Sequence, residues 1–161
     1  MTENITQLAQ LLGDKLVAKN WQITCAESCT GGGIGYAITS ISGSSAWFKS
    51  GFITYSNEAK QDLLGVSAVT LSEQGAVSAA TVEEMAKGAA VQAQAQVAVS
   101  VSGIAGPDGG TADKPVGTVW FSFFVDGQIT SYKLQINGDR QAVRMQAIEF
   151  ALTHTLKLLT K

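Results

Sequence analysis

Four short segments of the sequence carry side chains that could do chemistry. The first is Glu-Ser-Cys-Thr-Gly-Gly at residues 27–32, where a predicted strand gives way to a predicted helix. Free backbone N–H groups at such a junction favour an anion, either a phosphate or a developing oxyanion, and glycines let a ligand approach the backbone. In the alternative interpretation, Ser28 or Thr30 is only a helix N-cap and the glycines only form a tight turn.

The second segment is Tyr-Ser-Asn-Glu-Ala-Lys at residues 55–60, which also follows a predicted strand. Lys60 falls in the first turn of the next helix, where the helix dipole disfavours a cation and lowers the pKa of a lysine. A lysine that acts as a general base needs a lowered pKa, although an exposed surface lysine is the simpler interpretation. Because ligands bind at the carboxyl edge of parallel strands, we expect Ser28 and Lys60 to meet there.

The third segment is a long loop, residues 103–117, that follows a valine-rich strand ending at Ser102. The loop holds both prolines and five of the 17 glycines. Loops of this length in compact domains are more often functional than simple connections. Its backbone could wrap a nucleotide or its phosphate, with a plain connection as the alternative.

The fourth segment contains two arginines at the start of the last predicted helix. On a helical wheel, Arg144 falls on the apolar stripe of that helix and Arg140 falls at its edge. An arginine on an inward face pairs with a carboxylate or a phosphate. The sequence leaves open a phosphate ligand and an intramolecular salt bridge, for example with Asp139 or Asp113.

Composition excludes several classes of protein. The chain has 161 residues, 45% of them hydrophobic and 15% charged, with a net charge of −2. These values predict one folded domain, residues 1–161, rather than a disordered chain. The scattered lysines and arginines argue against a nucleic-acid partner. Because no run of 18 apolar residues and no secretory signal is present, we expect a cytoplasmic protein without a membrane partner.

The few histidines and cysteines limit the choice of chemistry. The single histidine, His154, lies near the end of the last predicted helix, which suits a packing or surface role better than a catalytic triad. Cys25 and Cys29 are poorly placed for a disulfide, and one histidine offers little for a zinc site. Cys29 remains a rival nucleophile to Ser28, because a thiolate is favoured at a helix start.

Hydrophobic periodicity and capping signals predict the elements that must position these residues. Asn57 is expected to cap a helix that ends at Gly65, Thr81 and Glu84 to form a capping box, and Asp126-Gly127 to turn a hairpin. The predicted helices cover 3–19, a segment from Ile34, 58–64, 79–95 and 139–159, and the predicted strands cover 21–26, 51–55, 96–102, 118–125 and 128–136. This alternation predicts an α/β sandwich with a mixed sheet of about five strands, covered on both faces.

Taken together, the motifs of the chain resemble those of the CinA C-terminal domain family. The resemblance covers nearly the whole chain and rests on Glu-Ser-Cys-Thr-Gly-Gly at 27–32, Gly-Ser-Ser at 43–45, Tyr-Ser-Asn-x-x-Lys at 55–60, Gly-Ala-Val-Ser at 75–78, Gly-Ile-Ala-Gly-Pro at 103–107, Lys-Pro-Val-Gly at 114–117 and Gly-Asp-Arg at 138–140. It implies a three-layer α/β/α sandwich with a mixed, mostly parallel sheet, in a stand-alone member of the family that forms a homodimer.

The same resemblance implies an activity. It is hydrolysis of the amide of nicotinamide mononucleotide to nicotinic acid mononucleotide and ammonia, in pyridine nucleotide salvage, with no metal or organic cofactor. A non-catalytic nucleotide-binding module and an interaction protein in DNA uptake or repair are the alternatives. A Ser–Lys mechanism would use oxyanion donors from the backbone near Thr30 and Gly31.

The resemblance also assigns roles to individual residues. Ser28 is implied as the nucleophile and Lys60 as the base, with Tyr55 and Ser45 lining or assisting the site, and Arg140 or Arg144 is expected to meet the phosphate. The remaining substrate-binding candidates are backbone or small side-chain positions, namely Thr30, Gly31, Gly32, Ser102, Gly103, Ala105 and Gly106.

Overall fold

Six α-helices and five strands follow one another in a computed structural model that describes residues 1–161. They are α1 (Glu3–Lys19), β1 (Ile23–Glu27), α2 (Gly33–Thr39), β2 (Phe52–Ile53), α3 (Asn57–Leu64), α4 (Ala68–Gln74), α5 (Ala79–Ala93), β3 (Val97–Gly103), β4 (Thr118–Val125), β5 (Gln128–Gln135) and α6 (Arg140–Thr160). A short 3-10 turn, Ser44–Ala46, lies between α2 and β2. The helices are too short or too polar to span a lipid bilayer.

The five strands form one sheet in the order β2-β1-β3-β4-β5. β1 pairs in parallel with both β2 and β3, whereas β4 is antiparallel to its neighbours β3 and β5. Four strands therefore run in one direction and only β4 opposes them. The predicted mixed, mostly parallel sheet is confirmed, as is the hairpin turn at Asp126-Gly127, where both residues have positive φ.

Helices cover both faces of the sheet, which gives the expected three layers. Along β3, the valines face a core built with α1, α2 and α6, while Ala98 faces a smaller core built mainly with α5. The small side chain of Ala98 lets α5 lie close to the sheet. Since both faces of the central strands are buried, the sequence of β3 is apolar or small throughout.

Helix α3 is held in place by an unusually close contact with α5. A Cβ atom added at Gly88 would lie 1.9 Å from the carbonyl oxygen of Leu64, so only glycine allows this approach. The C-terminal end of α3 is therefore fixed against α5, with Gly65 in the left-handed conformation as its C-cap. This packing sets the position of the helix that carries Lys60.

Two predicted caps are wrong, each because a nearby serine takes the position. Ser56, not Asn57, caps α3, and its hydroxyl accepts from Ala59 N. Ser78 caps α5 by accepting from Thr81 N, while Thr81 Oγ1 donates to Gly75 O instead of closing a capping box. Sequence analysis also missed α4, although Ser67 before it and Gly75 after it are ordinary cap residues.

The loop from 104 to 117 contains no helix or strand, yet it is tied down at several points. Lys114 Nζ donates to Gln74 O at 2.7 Å, which joins the loop to the end of α4. Gly117 N donates to Ile104 O at 2.7 Å, which closes the base of the loop. The loop therefore has a defined shape at the carboxyl end of β3.

Candidate active site

Ser28 and Lys60 meet at the carboxyl edge of the sheet, as the parallel strands predict. Ser28 directly follows β1, and Lys60 lies in the first turn of α3. Lys60 Nζ lies 3.0 Å from Ser28 Oγ, although the two residues are 32 positions apart. Their side chains are 1% and 8% exposed, so the pair is almost closed to water.

The amine of Lys60 is surrounded by oxygens that carry no formal charge. Besides Ser28 Oγ, Nζ contacts Thr54 O at 2.8 Å and Tyr55 O at 3.3 Å. Burial without a carboxylate partner lowers the pKa of Lys60 below its ordinary value. In the neutral amine, two N–H bonds can point to the two carbonyls, which leaves the nitrogen lone pair facing the Ser28 hydroxyl.

The backbone around Ser28 is fixed by two hydrogen bonds. Ser28 N donates to Val101 O at 3.1 Å across the sheet, and Gly31 N donates to Ser28 O at 3.0 Å in a turn. The Gly31 N–H is therefore engaged, which corrects its expected role as an oxyanion donor. The N–H of Thr30 has no acceptor among the backbone hydrogen bonds of the chain, but Thr30 is only 1% exposed.

The start of α2 does not serve as an anion site, which is a second correction. The carboxylate of Glu27 already occupies it, since Oε1 accepts from Ile34 N at 2.8 Å and Oε2 accepts from Gly35 N at 3.0 Å. A ligand phosphate or oxyanion must therefore bind elsewhere.

A cleft of about 280 Å³ opens over the reactive pair. We call it the Ser28–Lys60 cleft. Asn57, Val77 and Asp108 line it, although sequence analysis did not propose them as site residues. Most of the expected site residues line it as well, namely Ser28, Tyr55, Lys60, Ser102, Gly103, Ala105, Gly106 and Arg140. Val77 lies in the 75–78 motif and Asp108 in the long loop, but the approach of these segments to the site depends on tertiary packing, so the sequence alone does not assign either residue to the cleft.

Four further candidates line a second, larger cleft of about 820 Å³, here called the Arg144 cleft. Thr30, Gly31, Gly32 and Arg144 lie there, and Arg140 lines both clefts. The expected substrate-binding set is therefore divided between two neighbouring surfaces. Arg140 is the residue that the two clefts share.

The two arginines donate to oxygens of uncharged groups rather than to Asp139 or Asp113. Arg140 Nη1 donates to Gly106 O at 2.8 Å and Nη2 donates to Tyr55 Oη at 3.2 Å.

Arg144 binds the loop that carries the serine. Its Nε donates to Cys29 O at 3.0 Å, and Nη2 donates to Thr30 O at 3.3 Å. Arg144 therefore holds the turn after Ser28, whereas Arg140 has its guanidinium at the Ser28–Lys60 cleft.

Ser45 lies away from the reactive pair. It is exposed in the 3-10 turn beside the amino end of β1, where Ile23 N donates to Trp47 O at 2.9 Å. Ser28 follows the opposite end of this strand, about 16 Å away at ~3.3 Å per residue. Ser45 is therefore outside the Ser28–Lys60 cleft of its own chain, because the intervening segment runs alongside β1 before reaching Tyr55.

His154 packs against aromatic rings, and both cysteines are buried. The His154 ring packs 4.6 Å from Phe123 and 4.3 Å from Tyr132, between centroids, against the β4–β5 hairpin. Cys25 and Cys29 are free and buried, and burial raises the pKa of Cys29 to about 11. No three His, Cys, Asp or Glu side chains are grouped as a metal ion requires.

Comparison with known proteins identifies the relatives of this arrangement. The model of the CinA C-terminal domain matches residues 5–159. The chain belongs to the CinA C-terminal domain family. Within this family, the nicotinamide-nucleotide amidohydrolase PncC of Enterobacter agglomerans is 58% identical over 160 residues, which cover 99% of this chain and 98% of that relative.

Two further similar proteins extend this result. The nicotinamide-nucleotide amidohydrolase PncC of Escherichia coli strain K12 is 53% identical over 154 residues, covering 94% of this chain and 93% of the relative. The crystal structure of the competence/damage inducible protein CihA from Agrobacterium tumefaciens matches with a TM-score of 0.96 at 39% identity, covering 100% of this chain and 98% of that one.

The raised pKa of Cys29 makes a testable prediction about its reactivity. With a pKa of about 11, only on the order of one thiol in ten thousand is ionised at pH 7, compared with about 3% for an ordinary cysteine. We expect iodoacetamide to leave Cys29 unmodified in the folded protein at pH 7, measured by mass spectrometry, and to react faster as the pH rises. The protein unfolded in guanidinium is the control, in which both cysteines react. Rapid alkylation of folded protein at pH 7 would contradict the prediction.

Proposed function

We propose that this protein is an amidohydrolase that converts nicotinamide mononucleotide to nicotinic acid mononucleotide and ammonia by a Ser–Lys mechanism. The observation that carries the proposal is the buried 3.0 Å contact between Lys60 Nζ and Ser28 Oγ. The hydrogen bonds of Lys60 Nζ include no carboxylate. The names of the relatives that are 53% and 58% identical support the substrate. The whole chain, residues 1–161, is proposed to act as one domain.

The first half of the reaction forms an acyl-enzyme. Neutral Lys60 takes the proton of the Ser28 hydroxyl while Oγ bonds to the carboxamide carbon. The carbonyl oxygen becomes an oxyanion, which we expect a backbone N–H of the turn after Ser28 to stabilise, and one such donor is typically worth about 3 kcal/mol in the transition state. The C–N bond then breaks, and the amide nitrogen leaves as ammonia with the proton that Lys60 returns.

The second half regenerates the enzyme. Lys60 takes a proton from a water molecule, whose oxygen bonds to the acyl carbon. Ser28 Oγ leaves and recovers its proton from Lys60, and the product acid departs. Tyr55 is proposed to act through its backbone, because its carbonyl holds the lysine amine. Its hydroxyl accepts from Arg140 and can relay a proton only at the outer rim of the cleft.

Arg140 is proposed as the phosphate contact. It lines the same cleft as the reactive pair, and its Nη atoms contact only a backbone carbonyl and a tyrosine hydroxyl. Both partners are neutral, so the guanidinium charge is available to an anion. The loop residues Ser102, Gly103, Ala105 and Gly106 are proposed to line the path between the amide and this phosphate.

The first experiment measures ammonia release from nicotinamide mononucleotide. We expect turnover by the wild type and a loss of at least about 10⁴-fold in Ser28→Ala and Lys60→Ala, because each removes a reacting group. Lys87→Ala is the matched control, since Lys87 is an exposed lysine on α5. kcat/KM should rise with pH through the pKa of Lys60, which burial places below its ordinary value, because only the neutral amine accepts the proton.

Three results would contradict this assignment. Full turnover by Ser28→Ala would exclude the serine as nucleophile, and a flat pH profile from pH 6 to 9 with rate-limiting chemistry would exclude the lysine as base. A wild type that binds the nucleotide without releasing ammonia would instead indicate a non-catalytic binding module.

The two arginines should give different kinetic effects. Arg140→Ala is expected to raise KM for the mononucleotide by about 10- to 100-fold, the value of a lost charge-assisted hydrogen bond, with little change for the nucleoside that lacks the phosphate. Arg144→Ala should lower kcat instead, since it releases the turn after Ser28. Equal effects of Arg140→Ala on both substrates would exclude the phosphate contact.

We also propose that two copies pair through the Arg144 cleft. Tyr36 and Ile53 at this cleft are 64% and 56% exposed, so an isolated chain leaves two large apolar side chains in water side by side at one cleft. Sedimentation velocity should give twice the 16.8 kDa mass, and Tyr36→Glu should shift it to the monomer. A monomeric wild type at micromolar concentration would refute the pairing.

We place the protein in the cytoplasm, where two free thiols remain reduced.

A further inference from the structure

The mechanism leaves the one buried carboxylate of the chain unused. Glu27 is the last residue of β1, next to Ser28, and it is 1% exposed. We propose that the Glu27 carboxylate is the positioning residue that holds Ser28 in reach of Lys60. The inference rests on the proposed Ser–Lys function and adds a role that acts through other residues, not on the substrate.

Both carboxylate oxygens of Glu27 are occupied by donors from the turn and helix that follow Ser28. Oε1 accepts from Thr30 Oγ1 at 2.6 Å and from Ile34 N at 2.8 Å, and Oε2 accepts from Gly35 N at 3.0 Å. A carboxylate with several donors at a helix start is stabilised despite its burial. The side chain therefore binds the chain on the far side of Ser28 back onto the end of β1.

The backbone of Glu27 connects to the other reacting group. Thr54 N donates to Glu27 O at 2.8 Å, and Thr54 O is the acceptor 2.8 Å from Lys60 Nζ. The side chain of Glu27 thus accepts hydrogen bonds from the turn after Ser28, and its main chain accepts one from Thr54, the residue whose carbonyl holds Lys60 Nζ. A shift of this residue would alter the Ser28–Lys60 separation directly.

A glutamine at position 27 tests the requirement for two acceptor oxygens. It has the size of glutamate, so it creates no cavity, but its amide NH₂ replaces one acceptor by a donor. That NH₂ would face either the Gly35 N–H or the pair formed by Thr30 and Ile34. One donor must then move away, which displaces the turn or the start of α2.

The experiment compares Glu27→Gln with Cys25→Ala in the intact protein. Cys25 is buried on the same strand and its Sγ lies 3.6 Å from Glu27 Oε2, a weak contact, so Cys25→Ala perturbs the same core without removing the strong donors. Three quantities are measured at a temperature where circular dichroism shows both variants folded. They are kcat, KM for nicotinamide mononucleotide, and the rate at which a fluorophosphonate labels Ser28.

For Glu27→Gln we expect kcat to fall on the order of 100-fold, the effect of a displacement of about 1 Å in a reacting group. KM should stay within about twofold, and Ser28 labelling should slow in parallel with kcat. Cys25→Ala should lower the unfolding midpoint but keep kcat and labelling near wild type.

Wild-type kcat and labelling in folded Glu27→Gln would overturn the inference, as would equal losses in Cys25→Ala. If Glu27→Gln does not fold, Thr30→Val provides the test by removing one donor to Oε1; its kcat should fall at constant KM, and an unchanged kcat overturns the inference. Labelling requires no nucleotide. A wild type that is labelled at Ser28 but releases no ammonia would therefore refute the proposed substrate while still testing the role of Glu27.

Discussion

A lysine amine buried among neutral oxygens is the constraint on which the rest of this structure depends. Burying an ammonium without a carboxylate partner is unfavourable, so Lys60 favours the neutral form more than an exposed lysine does. The two backbone carbonyls that hold it come from residues directly after β2, and the third oxygen comes from the residue directly after β1. The site therefore exists only while these two strand ends stay side by side.

Elements on several sides hold the ends of β1 and β2 next to each other. β1 lies between β2 and β3, so hydrogen bonds on both sides fix the backbone up to Ser28. Helix α3 is fixed at its far end by the contact of Leu64 with Gly88, which limits the motion of Lys60 at its near end. The long loop after β3 completes the cleft and is itself tied to α4 and α6. These contacts join distant parts of the chain, and together they hold the side chains of Ser28 and Lys60 at hydrogen-bond distance.

Much of this arrangement was predictable from the sequence because it follows from periodicity and from topology. Parallel strands must end at the same edge, so two chemical motifs that each follow a strand had to come close together. The choice between Arg140 and Arg144 was not predictable, since both lie within one turn of α6 and their partners come from distant loops.

Other features could not be read from the sequence for related reasons. Ser45 belongs to one of the motifs that carry the resemblance, yet its place depends on how the segment before β2 runs beside β1. The role of Glu27 was hidden because a glutamate at a strand end is ordinarily exposed. Its burial follows from the direction of α2, whose first N–H groups point back at the carboxylate. The caps of α3 and α5 lie one and three residues before the expected ones, because a nearby serine takes each position.

The reacting atoms and most of the cleft lining come from different parts of the sequence. The atoms proposed to make and break bonds come from residues 28–60, whereas most groups that surround the rest of the cleft come from residues 102–140. Only the contact of Arg140 with the Tyr55 hydroxyl joins the two groups by a side-chain hydrogen bond at the rim. For protein engineering, this separation makes residues 103–109 of the long loop the place to vary the accepted amide, while the bond-breaking atoms keep their geometry.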